Sequence, residues 1–165
     1  MKWSSSLYFS DSALYYDASM KTHFFIAFLV TGIVLLTCSS LAQTVVIVNT
    51  SVPSSTSFDV DELLDVYTLN KAHWEDGSRI TVFDLKRGKS KAAFYEYIGM
   101  SEEELQRIWL RKQFTGRARP PRSLSSEEEI VERVGRTPGA IGYVQNQSVK
   151  NNRNVRVVAK IKGTK

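Results

Sequence analysis

The sequence predicts a single α/β lobe, in which a mixed, mostly parallel sheet of about four strands is flanked by helices in three layers. Two patterns predict this fold class. Continuous runs of β-branched and other apolar residues, as at 44–49 and 140–144, are typical of buried strands. Between such runs, apolar residues recur at the spacing of a helical face. Because the two patterns alternate along the chain, we expect strands and helices to interleave.

The first half of the lobe is predicted to contain two strands and one helix. The run TVVIVN forms the first strand. A helix follows over residues 58–67, with Asp59 or Ser57 as its N-terminal cap and carboxylates in its first turn, where the helix dipole favours them. After an Asp-Gly turn signal, the segment RITVFDL at 79–85 is predicted as the second strand.

The second half is predicted to contain three helices and two strands. One helix runs through residues 91–99, and the next, over 101–114, begins with a Ser-x-x-Glu capping box. Ser126 caps a further helix over 125–136, with a glutamate three positions on. The short apolar segment AIGYV then forms a buried strand. The alternating segment VRVVAKI at 155–161 forms the last strand, at the edge of the sheet.

Residues 20–42 have the composition of a secretory signal peptide. A basic residue follows Met20, residues 24–36 form an apolar run, and small residues stand at Ser40 and Ala42. This run is too short to span a bilayer comfortably, so a membrane anchor is the less favoured interpretation. We therefore expect an exported protein, periplasmic or secreted, that is cleaved after Ala42.

Three further expectations concern the residues around this segment. Residues 1–19 are interpreted as an upstream extension of a true start at Met20, with a disordered leader as the alternative. Residues 43–165 are expected to form the folded domain. Lipidation of Cys38, the only cysteine, is less favoured than cleavage, because Thr37 stands where Gly, Ala or Ser is usual in a lipoprotein signal.

The composition argues against several kinds of chemistry. After Ala42 the chain has no cysteine and a single histidine, His73, which is interpreted as a packing or solvent-facing residue. The chain after Ala42 therefore lacks the residues that thiol chemistry and zinc clusters require. Its sequence also contains no glycine fingerprint of a phosphate-binding loop. We predict no catalytic residue, metal site or cofactor, and a protein that is not an enzyme. The net charge of +5 suits an anionic ligand, but it is modest for a dedicated nucleic-acid-binding protein.

The predicted ligand-binding site is a loop and helix start formed by Arg87, Gly88, Lys89, Ser90 and Lys91. It lies between a predicted strand and a predicted helix. Backbone N–H groups at a helix N-terminus, a glycine that lets the backbone approach, and nearby cations together suit phosphate, sulfate or another small anion. The alternative interpretation is a basic turn that is simply solvated.

A second basic stretch begins near the end of the helix at 101–114 and is stiffened by two prolines. It is interpreted either as a docking surface for single-stranded nucleic acid, helped by Trp109 and Phe114, or as a rigid connector whose arginines pair with nearby glutamates. The connector is favoured, because Trp109 lies on the apolar stripe of its helix, and nucleic acid is not predicted as a partner. The basic residues of this stretch are Arg111, Lys112, Arg117, Arg119 and Arg122.

Four segments carry a resemblance to a known family: WEDG at 74–77, FTGR at 114–117, the proline pair at 120–121 and TPGAIGY at 137–143. With the elements around them, they resemble small exported bacterial proteins that are similar to the phosphate-binding (PstS-like) proteins of ABC transporters. The resemblance covers nearly all of residues 43–144. It implies one lobe of the type 2 periplasmic-binding-protein fold, which normally has two lobes that close on a ligand.

The resemblance also implies a function. The expected protein is a non-catalytic, solute-binding-like protein that takes phosphate or another small anion for ABC-type uptake, with an ABC transporter or an envelope protein as partner and a homodimer that rebuilds a two-lobed cleft. The alternative is an envelope accessory protein that kept the lobe and lost the ligand. Where the family has an arginine and a Ser-Gly-Thr donor turn, this sequence has Asp84 and Gly88-Lys89-Ser90, and a carboxylate repels an anion at short range.

Overall fold

The structure, a computed structural model, describes residues 43–149 and 152–161. The predictions for the leader at 1–19, the signal peptide at 20–42 and lipidation of Cys38 lie outside these residues. Within the described part of the chain, no helix has the length and apolar character needed to cross a membrane.

The described residues form a sheet of five strands with helices packed on it. The strands are β1 (Thr44–Asn49), β2 (Thr81–Leu85), β3 (Arg122–Leu124), β4 (Ala140–Gln145) and β5 (Val155–Ile161). The helices are α1 (Val60–Tyr67), α2 (Lys89–Tyr97), α3 (Glu102–Phe114), α4 (Glu127–Arg136) and a 3₁₀ helix at Asn146–Val149.

The strand order in the sheet is β3-β2-β4-β1-β5. β2 runs parallel to both β3 and β4, whereas β1 runs antiparallel to both β4 and β5. The predicted α/β class, with a mixed sheet between helices, is therefore confirmed. The sheet has one strand more than expected, and its parallel and antiparallel pairings are equal in number.

The additional strand is β3, which lies in the stretch that was predicted as a connector. It has three residues, RSL, and pairs with the second half of β2, where Phe83 lies opposite Arg122. So short a strand has neither an apolar run nor an alternation that a sequence pattern can reveal. It forms one edge of the sheet, and two of its three residues are exposed.

Helices cover both faces of the sheet, as two neighbouring residues of β4 make clear. Tyr143 points to the side of α1 and α2, where its ring stacks on that of Phe94 at 4.3 Å and lies 5.9 Å from that of Tyr67. Gly142 points to the opposite side, where a Cβ would lie 2.7 Å from Cγ2 of Ile130 in α4. The missing side chain therefore lets α4 approach β4 closely.

Three of the four described α-helices begin at a side-chain cap that the sequence indicated. Asp59 caps α1, Ser101 caps α3 through a capping box, and Ser126 caps α4. Each of these side chains accepts a hydrogen bond from a first-turn N–H group that would otherwise lack a partner. The remaining helix, α2, begins at Gly88 without such a cap.

Candidate functional site

The carboxyl ends of three strands meet at one edge of the sheet, because β3, β2 and β4 run parallel to one another. The chain leaves β2 into α2 on one face, and it leaves β3 into α4 on the other face. In open α/β sheets, ligands bind at this edge, beside neighbouring strands whose connections diverge to opposite faces. The predicted site at 87–91 lies there, and it comprises the end of the loop after β2 and the first turn of α2.

The start of α2 is accessible to an anion. Its N-terminal cap is Gly88, whose φ of 133° lies in the region that favours glycine. A Cβ built at Gly88 would have nothing within 4 Å, so the space beside the backbone is open. Lys86, Arg87 and Lys89 are all exposed next to it. First-turn N–H groups and three cationic side chains are thus gathered at the carboxyl edge.

Ser90 and Lys91, the last two residues of the predicted site, are directed into the protein instead. Ser90 is fully buried, and its hydroxyl donates to Oε1 of Glu127 at 2.5 Å. Lys91 is 7 % exposed, and its Nζ lies 2.6 Å from Oε1 of Glu102 and 3.6 Å from Oδ2 of Asp84. Because both polar groups have carboxylate partners, the accessible part of the predicted site is its first three residues.

The Glu127 carboxylate engages a set of hydrogen-bond donors at the same edge. Besides the hydroxyl of Ser90, it accepts the backbone N–H of Gln145 at 2.9 Å and the hydroxyl of Ser148 at 2.7 Å. These donors come from α2, from the end of β4 and from the 3₁₀ helix, so one carboxylate joins all three to the first turn of α4. Its negative charge also opposes an incoming anion at short range.

Asp84 lies in a buried polar cluster close to the start of α2. The hydroxyl groups of Tyr143 and Tyr95 donate to its Oδ1, the second over 3.1 Å, whereas its Oδ2 has no hydrogen-bond partner among the described residues. The charged group beside that oxygen is Lys91, at 3.6 Å. Burial raises the pKa of the Asp84 carboxyl, and the hydrogen bond from Tyr143 and the charge of Lys91 offset part of the rise.

The tyrosines of this cluster stay protonated and act as hydroxyl donors. Burial first, and then the negative charge of Asp84, raise the pKa of Tyr95 and of Tyr143 well above the usual range of tyrosine. The pKa of Tyr67, which donates to the backbone oxygen of Phe83, is raised for the same two reasons. Sequence reasoning missed this cluster, although an aspartate within the apolar strand TVFDL signals a need for buried polar partners.

The second basic stretch is anchored at its start and exposed further on. The buried indole of Trp109 donates to the backbone oxygen of Tyr67 at 2.7 Å, and Lys112 Nζ donates to that of Leu69 at 2.7 Å. Phe114 is 87 % exposed. The expected pairing with glutamates is wrong for the described chain, since no salt bridge to a described residue is made by Arg111, Arg117, Arg119 or Arg122.

His73 is exposed, and its backbone forms an isolated bridge with that of Arg79. Among residues 43–149 and 152–161, no group of three or more His, Cys, Asp or Glu side chains is placed to hold a metal ion.

No protein-family model matches the chain, and no curated protein matches its sequence. Solved structures do match its fold. An ABC-type phosphate transport receptor from Vibrio cholerae superposes with a TM-score of 0.54 and 16 % identity, over 70 % of this chain and 45 % of the receptor. PstS from Borrelia burgdorferi superposes with a TM-score of 0.54 and 14 % identity, over 71 % of this chain and 46 % of PstS.

These likenesses establish the fold. The described chain has the fold of a single lobe of a periplasmic binding protein, and it spans less than half the length of the two proteins. Identities of 16 % and 14 % do not transfer a ligand or the role of a residue from one protein to another.

Proposed function

We propose that this protein is a non-catalytic binding protein for a small oxyanion, with phosphate as the first ligand to test. The observation that supports it is the start of α2, where Gly88 leaves the first-turn N–H groups without a side-chain cap at the carboxyl edge of the sheet. A helix N-terminus favours an anion through these donors and through the helix dipole. The exposed side chains of Arg87 and Lys89 add positive charge.

The fold supports the same proposal. One solved structure of similar fold is an ABC-type phosphate transport receptor. In an equivalent role, this protein is exported and delivers its anion to an ABC transporter or another envelope partner. The chain spans less than half the length of that receptor. In the homodimer expected from the sequence, a second copy of the chain would supply the facing lobe of the cleft.

The internal carboxylates limit the expected affinity. Ser90 is engaged with Glu127 and Lys91 with Glu102, so neither side chain donates to an external anion without breaking an existing contact. A single lobe also leaves one side of the anion in water, where charge interactions are weak. We therefore expect a dissociation constant of about 1 mM for the lobe alone, equivalent to a binding free energy of about −4.1 kcal/mol.

Calorimetric titration of the purified protein with phosphate, and with sulfate as a second tetrahedral anion, tests this proposal. Lys89→Glu is expected to abolish the saturable heat, because it reverses an exposed charge at the start of α2. Lys160→Glu makes the same charge change at an exposed position of β5, and it is expected to leave binding unchanged. Equal weakening in both variants would point to net charge alone and would exclude α2 as the site.

A ligand-free accessory protein of the cell envelope is the second candidate function. It is favoured by the pairing of Ser90 and Lys91 with carboxylates, which commits two of the four polar side chains of the predicted site. The same titrations separate the two functions. Absence of heat with phosphate, sulfate and a panel of carboxylates, from protein that is folded by circular dichroism, would exclude the binding function and leave the accessory one.

A further inference from the structure

A cavity of about 370 Å³ lies at the amino ends of the parallel strands, at the opposite end of β2 from the start of α2. It is found where the amino ends of β2 and β3 meet the connector that precedes β3. Small-molecule sites have volumes of about 300–1,000 Å³, so the cavity is large enough for a small ligand. Three arginines contribute to its lining: Arg79, Arg119 and Arg122.

The rest of the lining is mostly apolar. Ile80 and Val82 are each 8 % exposed, and Leu69 lies beside them. On the connector side the wall is formed by Pro120 and Pro121. Prolines have no backbone N–H, so this part of the connector cannot donate to β2, and pairing between β2 and β3 starts only after it. An apolar wall of this kind favours the hydrocarbon part of a ligand.

No carboxylate of a described residue forms a salt bridge with the arginines of the cavity. Among the described residues, no aspartate or glutamate lines the cavity. The planar guanidinium group matches carboxylate and phosphate groups with two parallel hydrogen bonds, and it stays charged at every physiological pH. Like charges around one small cavity repel each other, so an anion that enters is stabilised by all of them.

We propose that this cavity is a second binding site, for a small organic dianion: a compact apolar body that carries two carboxylates or one phosphate. The apolar body packs on Ile80 and Val82. The anionic groups are held by Arg119 and Arg122 from the connector and by Arg79 from the segment before β2. An inorganic anion is expected to bind weakly here, because it has no hydrocarbon part to pack against the apolar wall.

This site is separate from the proposed oxyanion site at α2. β2 connects the two, and with a rise of about 3.3 Å per residue its ends, Thr81 and Leu85, lie about 13 Å apart. That distance exceeds the Debye length of about 8 Å at physiological salt. Occupation of one site is therefore expected to have little electrostatic effect on the other.

Phthalate is the first probe, with benzoate as its monoanionic counterpart. Calorimetric titration of the purified protein is expected to give saturable binding of phthalate and binding of benzoate that is about tenfold or more weaker, because one carboxylate engages fewer guanidinium groups. Phenyl phosphate is expected to bind as phthalate does. The proposal is overturned if neither dianion binds saturably, or if benzoate binds as tightly as phthalate.

Arg119→Ala combined with Arg122→Ala is expected to weaken phthalate binding by about tenfold or more, because it removes both guanidinium groups of the connector. Arg107→Ala combined with Arg133→Ala is the matched control: both arginines are exposed and lie outside the cavity, and phthalate binding is expected to be unchanged. Replacing Arg119 and Arg122 with lysine keeps the positive charge but removes the planar guanidinium group, so an intermediate affinity for phthalate is expected. Equal weakening in the control pair would mean that binding is non-specific and would overturn the proposal.

The same variants distinguish the two sites. The double substitution Arg119→Ala, Arg122→Ala is expected to leave the heat of phosphate binding unchanged, and Lys89→Glu is expected to leave phthalate binding unchanged. If either variant lost binding of both phosphate and phthalate, the conclusion that the two sites are separate would be contradicted. Failure of phosphate to bind, with phthalate still bound and still sensitive to the connector arginines, would remove the α2 proposal and keep this one.

Discussion

The hydroxyl of Ser90 donates a hydrogen bond to the carboxylate of Glu127 over 2.5 Å, and this contact ties the first turn of α2 to the first turn of α4. The two helices lie on opposite faces of the sheet, so the bond crosses its carboxyl edge. Glu127 therefore fixes the two helix starts relative to each other, and it shapes the proposed oxyanion site.

Glu127→Ala is expected to lower the free energy of unfolding by about 2 kcal/mol, because it leaves the buried Ser90 hydroxyl and the Gln145 N–H without their acceptor. Urea denaturation measures the change. Glu128→Ala is the matched control, since Glu128 is exposed in the same first turn. Formate, a free carboxylate, is expected to restore part of the loss, whereas chloride at the same ionic strength is not. Equal losses in the two variants would contradict the anchoring role.

The stability of the protein is expected to depend on pH through Asp84. Burial raises the pKa of this carboxyl in the folded protein above its unfolded value of about 3.9. Such a group contributes stability that is fully present below the unfolded pKa and is lost as the pH rises through the folded pKa. Asp84→Asn removes this titration. Relative to the wild type, the unfolding free energy of the variant is therefore expected to improve as the pH rises above about 4.

Urea denaturation at a series of pH values between about 3.5 and 8 measures this difference. Asp61→Asn removes an exposed carboxyl from the first turn of α1, and it is expected to leave the difference from wild type nearly constant. If the profiles of Asp84→Asn and wild type run parallel throughout, the carboxyl of Asp84 has the same pKa in the folded and unfolded states, and the raised pKa is wrong.

Lys91→Met is expected to destabilise the protein by about 3 kcal/mol, because removal of one member of a buried ion pair leaves the other charge uncompensated. The charge left behind is that of Asp84, whereas the side chain of Glu102 is 47 % exposed and regains water. In the double variant Lys91→Met, Asp84→Asn, the loss is expected to be smaller than the sum of the two single losses. Strictly additive losses in urea denaturation would show that the two groups are not coupled.

Gly139→Ala is expected to cost more stability than Gly116→Ala, although the two glycines have nearly the same backbone conformation. Their φ angles are 69° and 68°, in the region where an L side chain is strained by about 1–2 kcal/mol. At Gly139 a Cβ would also collide with the backbone oxygen of Arg79, whereas at Gly116 it would meet nothing within 4 Å. Thermal denaturation compares the two. Equal decreases in melting temperature for the two variants would mean that the backbone at Arg79 moves aside without a cost in stability.

The elements with a buried face were predictable from the sequence, because burial imposes a period on the apolar residues. β1 and β5 have the predicted limits, and β2 begins two residues later than predicted, at Thr81. The exception is β3, since three residues carry no period. Its pairing depends on the preceding connector, which brings Arg122 alongside Phe83.

The directions of the side chains at the candidate site could not be predicted from the sequence. Ser90 and Lys91 meet Glu127 and Glu102, which lie 37 and 11 positions further along the chain, and only the tertiary fold brings these residues together. A helix start with lysines and a serine has the same pattern whether its side chains meet solvent or buried carboxylates. The anion-binding role of residues 87–91 therefore stays a prediction.

β1 lies inside the sheet, although it is the first of the described strands to be synthesised. Its partners come about a hundred residues later, since Thr44 pairs with Gln145 and with Ile161. At a translation rate of about 5–20 residues per second, the run TVVIVN leaves the ribosome several seconds before β4 is complete. An unpaired, uncharged β-branched segment is prone to pair with other chains. β1 therefore stays without its sheet partners for longer during synthesis than any other described strand, and pairing with other chains competes with folding over that interval.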